Sequence, residues 1–177
     1  MSKRTTRVLA IAAGVMLGIG RPAAAQGPAM AAHDERPHHI FLIGKAHRTV
    51  EAAMQGAVRR LSMPGCQQLF DDFTDQAGRA LTVNLAASAA SPADFLTALY
   101  FVEGDDTTQC RADRIVAAFT EPGSRVIHVC GQRIVQFAVT TKGAEILLIH
   151  ELLHALGLGE NPPTSARITD AVMHRCG

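Results

Sequence analysis

The chain has 177 residues, with 17 Lys and Arg against 16 Asp and Glu, for a net charge of +1. That balance gives no reason to expect nucleic acid or an anionic membrane surface as a partner. The length suits a single domain with one real core, and no internal repeat or second domain is visible.

The chain opens on a targeting segment. Lys3, Arg4 and Arg7 form a basic start, and Val8 to Gly20 is an apolar run of signal-peptide length, short for a membrane span. Ala23-Ala24-Ala25 offers the small residues that a signal peptidase reads, so residues 1–25 are expected to be cleaved after Ala25; an uncleaved anchor is the alternative. Removing 25 of 177 residues leaves 152, with 13 basic and 16 acidic residues and a net charge of −3. The mature protein is expected in a periplasm or outside the cell, with no membrane association after cleavage. All four cysteines, Cys66, Cys110, Cys130 and Cys176, lie in it, and an even number in an exported chain suggests two disulfides. Of the three pairings, Cys66–Cys110 and Cys130–Cys176 are expected; a Cys metal site is disfavoured because no two Cys are close in sequence.

Residues 26–38 read as a loose tail, in which His33 and His38, with His39 just beyond, are solvated or bind metal adventitiously. The domain proper spans 39–177. His39 to Ile43 reads as a strand, and Ala46 to Leu61 as a helix with Val50, Ala53, Met54, Ala57, Val58 and Leu61 on one apolar face. Pro64-Gly65 ends it. Leu69, Phe70 and Phe73 suggest a short helix or strand, and Ala80 to Leu85 a strand. Ser91-Pro92 predicts a helix start, with Ser as cap and Pro in the first position, running to about Ala98. Leu99 to Val102 follows as a strand, then a solvated acidic turn, Glu103-Gly-Asp-Asp-Thr-Thr108, without a full calcium-loop pattern. Ile115 to Phe119 and Arg125 to Val129 flank Glu121-Pro-Gly-Ser124 as a hairpin, with His128 a satisfied strand residue. Gln132 to Thr141 reads as an irregular connector, and Thr164 or Ser165 as the cap of a last helix ending near Arg175.

Between these lies the stretch that carries chemistry, His150-Glu151-Leu-Leu-His154-Ala-Leu-Gly157-Leu-Gly-Glu160. Residues four apart on a helix share a face, so His150 and His154 can put two imidazoles on one divalent ion, with Glu151 in reach of a water on it. Ala144 to Leu156 contains no Gly or Pro and is apolar nearly all round, as buried helices are. Two His and a Glu in such a helix are expensive to bury without partners, and a metal answers that cost for the His pair. A core helix whose two His bond only to backbone is the plainer alternative. Gly157 can end the helix in a left-handed cap, bringing Glu160 round as third ligand; Asp170 and His174 are the other candidates downstream.

His150, Glu151, His154, Gly157 and Glu160 fill the five positions of a pattern that resembles the metzincin zinc metallopeptidases, whose signature is HExxHxxGxxH. The stretch is also similar to that of small secreted bacterial proteins labelled as metallopeptidases. The last position holds Glu160 in place of His, Met173 is the only Met after the motif, and no Tyr follows it. Met173 is either a Met-turn residue beneath the metal or, the favoured reading, a core residue of the last helix. The resemblance implies an α+β domain, helices packed on a small twisted mixed sheet, whose edge strand pairs with an extended peptide; the strand around Arg125 to Val129 is the candidate edge. It implies one Zn2+ per chain on His150, His154 and Glu160, a peptide or protein substrate, and Glu151 as general base in peptide-bond hydrolysis. His174 is a possible second oxyanion donor. A zinc-binding module without turnover, acting structurally or by binding a partner, is the alternative; an intact Glu151 and three rather than four ligands argue against it.

Overall fold

Val50, Ala53, Met54, Ala57 and Leu61 recur at helical spacing, and all five are buried along the longest helix, α1 (Gly44–Leu61). The computed structural model describes residues 39–138 and 141–177. The expected signal segment, the tail with His33 and His38, and Val139-Thr140 lie outside the described residues. Strand β1 (His39–Phe41) leads into α1, followed by α2 (Pro64–Gln68), α3 (Leu81–Ala87) and α4 (Pro92–Thr97). Then come β2 (Tyr100–Glu103), α5 (Thr108–Ala112), β3 (Ala118–Phe119), β4 (Val126–Val129), α6 (Gly131–Phe137), α7 (Thr141–Ala155) and α8 (Ser165–Cys176). The result is a mixed α and β fold, with a small four-stranded mixed sheet and eight helices among the described residues, compatible with the expected α+β class.

The sheet order is β1-β2-β4-β3. β1, β2 and β4 run parallel, with His39 opposite Tyr100 and Tyr100 opposite Val126, while β3 runs antiparallel to β4, with Phe119 opposite His128. The hairpin therefore forms as its turn predicts, but the edge is not where it was expected. β4, the strand of residues 126–129, is paired on both sides, and the edges are β1 and, within the hairpin, β3. The reason lies in β2: its buried Phe101 sits beside the equally buried Ile127, so β2 covers the outer side of the hairpin's second strand.

Three local expectations are corrected. Residues 81–87 are helical rather than extended, because Leu81 and Leu85 stand one turn apart and both face the core; Ala80 keeps only an isolated bridge to Thr74. The expected connector after β4 contains α6, with Ile134 fully buried. The acidic turn is more than solvated: Glu103 Oε1 accepts from Ile43 N at 3.0 Å, Asp105 Oδ1 from Gly131 N at 2.8 Å, and Thr107 caps α5. By contrast α4 starts where Ser91-Pro92 predicts, Ser91 Oγ accepting from Asp94 N, and Thr164 caps α8.

The disulfides are Cys66–Cys176 and Cys110–Cys130, not the expected pairing. α8 does not return to the strand ahead of α7. It packs on α2, where Arg175 grips Asp72 through two hydrogen bonds of 2.8 and 2.9 Å and reaches Gln68, so Cys176 meets Cys66. Cys110 on α5 lies beside Gly104, where a side chain would crowd its sulfur, and this places it next to Cys130 at the end of β4.

Candidate metal centre

Every residue of α7 from Leu148 to Ala155 is buried, with Leu148, Ile149, Leu152 and Leu153 fully inside the core. The helix packs against α1, α4, α6, α8 and β3, which is why its sequence has no polar face. His150, Glu151 and His154 are buried with it, 4%, 3% and 5% exposed.

The helix ends as Gly157 predicts. Leu158 N donates to Leu153 O at 3.1 Å and Gly157 N to His154 O at 2.8 Å, the paired bonds of a Schellman motif, with Gly157 at φ +108°. A side chain at Gly157 would also press on Asp75 Cβ at 3.1 Å. Asp75 and Asn84 hold this turn from outside. Asn84 Nδ2 donates to Leu156 O at 2.8 Å and to Asp75 Oδ2 at 2.9 Å, and Gln76 N donates to Gly157 O at 3.3 Å. The redirected chain brings Glu160 back over the helix.

His150, His154 and Glu160 converge to form a group that can hold a metal ion. The two Nε2 atoms are 3.1 Å apart, and Glu160 Oε1 stands 3.4 Å from that of His154 and 3.8 Å from that of His150. Ligand bonds of about 2.0–2.1 Å to one tetrahedral ion place the ligand atoms about 3.3 Å apart, so the spacing fits. The far side of each ring is fixed: His154 Nδ1 donates to the Leu158 carbonyl at 2.7 Å, leaving its Nε2 lone pair free, and His150 Nδ1 meets Thr169 Oγ1 of α8 at 3.0 Å. Burial, with the neighbouring His154 adding to it, holds His150 down to about 3, so its imidazole stays neutral and ready to ligate.

Glu151 lines the same cavity. Burial pushes it up to about 8; the nearby Thr120 hydroxyl opposes that rise and the Glu160 carboxylate adds to it. Glu151 Oε2 and Thr120 Oγ1 are both buried and neither has a hydrogen-bond partner among the described residues, so Thr120 acts through proximity rather than a formed bond. Buried polar atoms are normally paired, so two unpaired oxygens beside the converging ligands mark this as a candidate functional site.

The group lines a cavity of about 1050 Å3 bounded by β3, α7 and α8. Asp170 and Met173 line this cavity too, but Asp170 is outside the converging group. Met173 is 49% exposed, which overturns its reading as a core residue. His174 is exposed on α8 and does not line the cavity, so it is poorly placed as an oxyanion donor. His128 stacks on Phe119 at 4.9 Å as a strand residue, but its Nδ1 is buried without a partner, so it is not satisfied as expected. His39 stacks on Tyr100 at 4.5 Å. Sequence reasoning missed Thr120, Thr169 and the Leu158 carbonyl; nothing in the local sequence marks them, because tertiary packing alone brings them to the site. No family model, curated protein or solved structure matches the chain.

Proposed function

We propose that the chain is an exported zinc-dependent metallopeptidase that hydrolyses peptide bonds, with Glu151 as general base. The observation that carries this reading is the buried Glu151, its Oε2 without a hydrogen-bond partner among the described residues, beside three converging ligands. His150 and His154 present their Nε2 lone pairs, held in place by Thr169 and the Leu158 carbonyl. When bound, zinc would supply Lewis acidity and positive charge, taking a water's pKa from about 15.7 to about 7 and offsetting the burial that favours a neutral Glu151. The Glu151 carboxylate takes the proton of the attacking water and returns it to the leaving amide nitrogen. Thr120 Oγ1 lies near enough to that carboxyl to favour its ionised form. The free side of β3, at the sheet edge beside the cavity, offers backbone groups to an extended peptide.

Two disulfides fit an oxidising environment such as a periplasm or the extracellular space, and no described helix is long and apolar enough to cross a membrane. A zinc-binding module without turnover would leave the burial of Glu151, with its Oε2 unpaired, without a purpose.

The test is zinc content per chain of protein produced in an oxidising compartment, with Glu160→Ala beside it. About one zinc per wild-type chain is expected, with affinity at least tenfold weaker in the variant. Zinc held equally well by both would remove Glu160 as a ligand, and no zinc in the wild type would leave the reading without its chemistry.

A further inference from the structure

The two edges of the sheet are unlike. β3 borders the metal cavity, while β1 lies at the opposite edge and lines none of it. Soluble proteins blunt an open edge with Lys, Pro or an inward-pointing charge, because its unpaired backbone is a template for another strand. Residues 39–43, His-Ile-Phe-Leu-Ile, carry no such device. The backbone is still extended at Ile43 (φ −118°, ψ 159°), so the edge runs on beyond the three residues paired with β2. Side chains alternate along it: Leu42 is buried on the core side, whereas Phe41 and Ile43 stand out at 61% and 81% exposure. Tyr100 of β2, 39% exposed, lies beside Phe41 with ring centroids 6.2 Å apart. Three of the eight large hydrophobic side chains exposed among the described residues are thus gathered at one edge.

Tyr100 N and Gly104 N donate to Arg125 O and Val129 O on the β4 side, so Phe101 and Glu103 turn their backbone towards β1. The groups that meet them are those of His39 and Phe41, and Ile43 N follows the same alternation, donating to Glu103 Oε1 at 3.0 Å. Ile40 and Leu42 are left to present N–H and C=O to the open side, where the sheet has no further strand among the described residues. We infer that this edge pairs with β1 of a second copy, antiparallel about a two-fold axis at Phe41. The arrangement closes on itself: Ile40 of each copy exchanges both backbone bonds with Leu42 of the other, and Phe41 faces its own counterpart. Residues 26–38, which adjoin the strand, offer a poorer occupant. Met30 is their only large apolar residue, and Pro37 lacks the N–H that a ladder needs. Phe41, Ile43 and Tyr100 of both copies supply on the order of several hundred Å2 of apolar area, below the roughly 1,200 Å2 of a standard interface, so the dimer is a weak one. β3 and the cavity stay free, so the pairing does not rest on the peptidase reading.

Sedimentation velocity of the disulfide-intact, zinc-supplemented protein over about 1–500 μM reads the mass, and a monomer–dimer shift with a Kd of roughly tens of μM is expected. Phe41→Lys puts a charge on the exposed edge and should raise that Kd at least tenfold with zinc content and melting temperature unchanged; Val83→Lys, similarly exposed on α3, should leave it as it is. Two cysteine variants read the register. Phe41→Cys should link into covalent dimers under oxidised glutathione, which takes up the two electrons and two protons of the thiol pair, because residues facing across the axis have Cα atoms about 4.5 Å apart. Ile43→Cys is the more exposed position, yet it should link at least tenfold more slowly. Its two copies stand about 14 Å apart along the strands, and a disulfide needs less than about 7 Å. Amide exchange at Ile40 and Leu42 should slow as concentration rises.

A chain that stays monomeric to the top of that range overturns the inference, as does a dimer that Phe41→Lys leaves intact. Slow exchange at Ile40 and Leu42 that ignores concentration assigns the edge to residues 26–38 of the same chain and overturns it too. Equal linking rates at positions 41 and 43 reject the register and with it the two-fold pairing. Should the lysine variant lose its melting transition, the linking rates and the exchange decide.

Discussion

Glu151 is buried on α7 beside the ligand group, and the proposed reaction rests on it. Its Oε2 is buried without a hydrogen-bond partner among the described residues, and an unpaired buried acceptor costs on the order of 1–3 kcal/mol. Glu151→Gln keeps the shape of the side chain and removes the base. It is expected to hold zinc as well as the wild type while kcat/KM falls by about 10²–10⁴-fold, measured on the best available peptide with metal content checked in parallel. Turnover surviving in the metal-replete variant would end the general-base role. The pair His150 and His154 could be read from spacing alone, and so could Glu160 once Gly157 was seen as a helix end. Thr120 and Thr169 could not, because their positions follow from which strand lies at the edge and which helix packs over α7, facts of tertiary structure with no local mark.

Two contacts between elements set where the ligands sit. The first lies between α1 and α7. Gly56 faces Glu145, whose carboxylate pairs with Arg60 Nε at 2.5 Å while Arg60 Nη1 reaches Cys176 O at 2.5 Å. A Cβ at Gly56 would overlap the Glu145 side chain. Alanine normally stabilises a helix interior by about 1 kcal/mol over glycine, but Gly56→Ala should instead destabilise by about 1–3 kcal/mol, because it forces Glu145 off Arg60. Thermal unfolding decides this, and a variant that melts above the wild type would show that the ion pair is dispensable. The second contact is the Asp75–Asn84 brace on the Gly157 turn. Asp75, its side chain 5% exposed, is held well below the usual carboxylate range, first by the Asn84 amide and then by the backbone and guanidinium of Arg79. A depressed native pKa means that the ionised form stabilises the fold at neutral pH. That contribution fades only below about pH 4, the ordinary aspartate value, as pH falls towards the native one. Asp75→Asn should therefore be less stable than the wild type at pH 7, with the gap narrowing as pH drops from about 4 to about 2. Denaturant unfolding across that range checks it, and a constant gap would refute the assignment.

For the molecule as a whole, the two disulfides differ in weight. Cys66–Cys176 closes a loop with a sequence separation of 110 and Cys110–Cys130 one of 20. Loop-closure entropy alone would make them worth about 5 and about 3 kcal/mol. Replacing Cys66 and Cys176 with Ser should cost more stability than replacing the other pair. It should also weaken zinc binding, since α8 carries the Thr169 that steadies His150. Urea unfolding and zinc titration of both double variants would show it, and equal losses from the two would refute the ranking. The even cysteine count, in a chain expected to be exported, pointed to two bonds but not to which cysteines meet; that depends on α8 packing on α2, through Arg175 and Asp72, residues that nothing in the sequence links. The same limit explains the edge strand. The hairpin was legible from its turn, but β2, brought in beside β4, has no signature that says which side of the hairpin it will take.

One oxygen joins these scales. The carbonyl of His154 accepts both from Gly157 N and from Gly123 N, each at 2.8 Å. The turn that carries the cleft's edge strand, the last turn of the ligand helix and the loop that delivers Glu160 are thus knotted at a single atom. They should breathe together: in amide hydrogen exchange, Gly123 and Gly157 should open at one common rate and slow in step when zinc is added, a clock for the assembled site that can be read without any substrate.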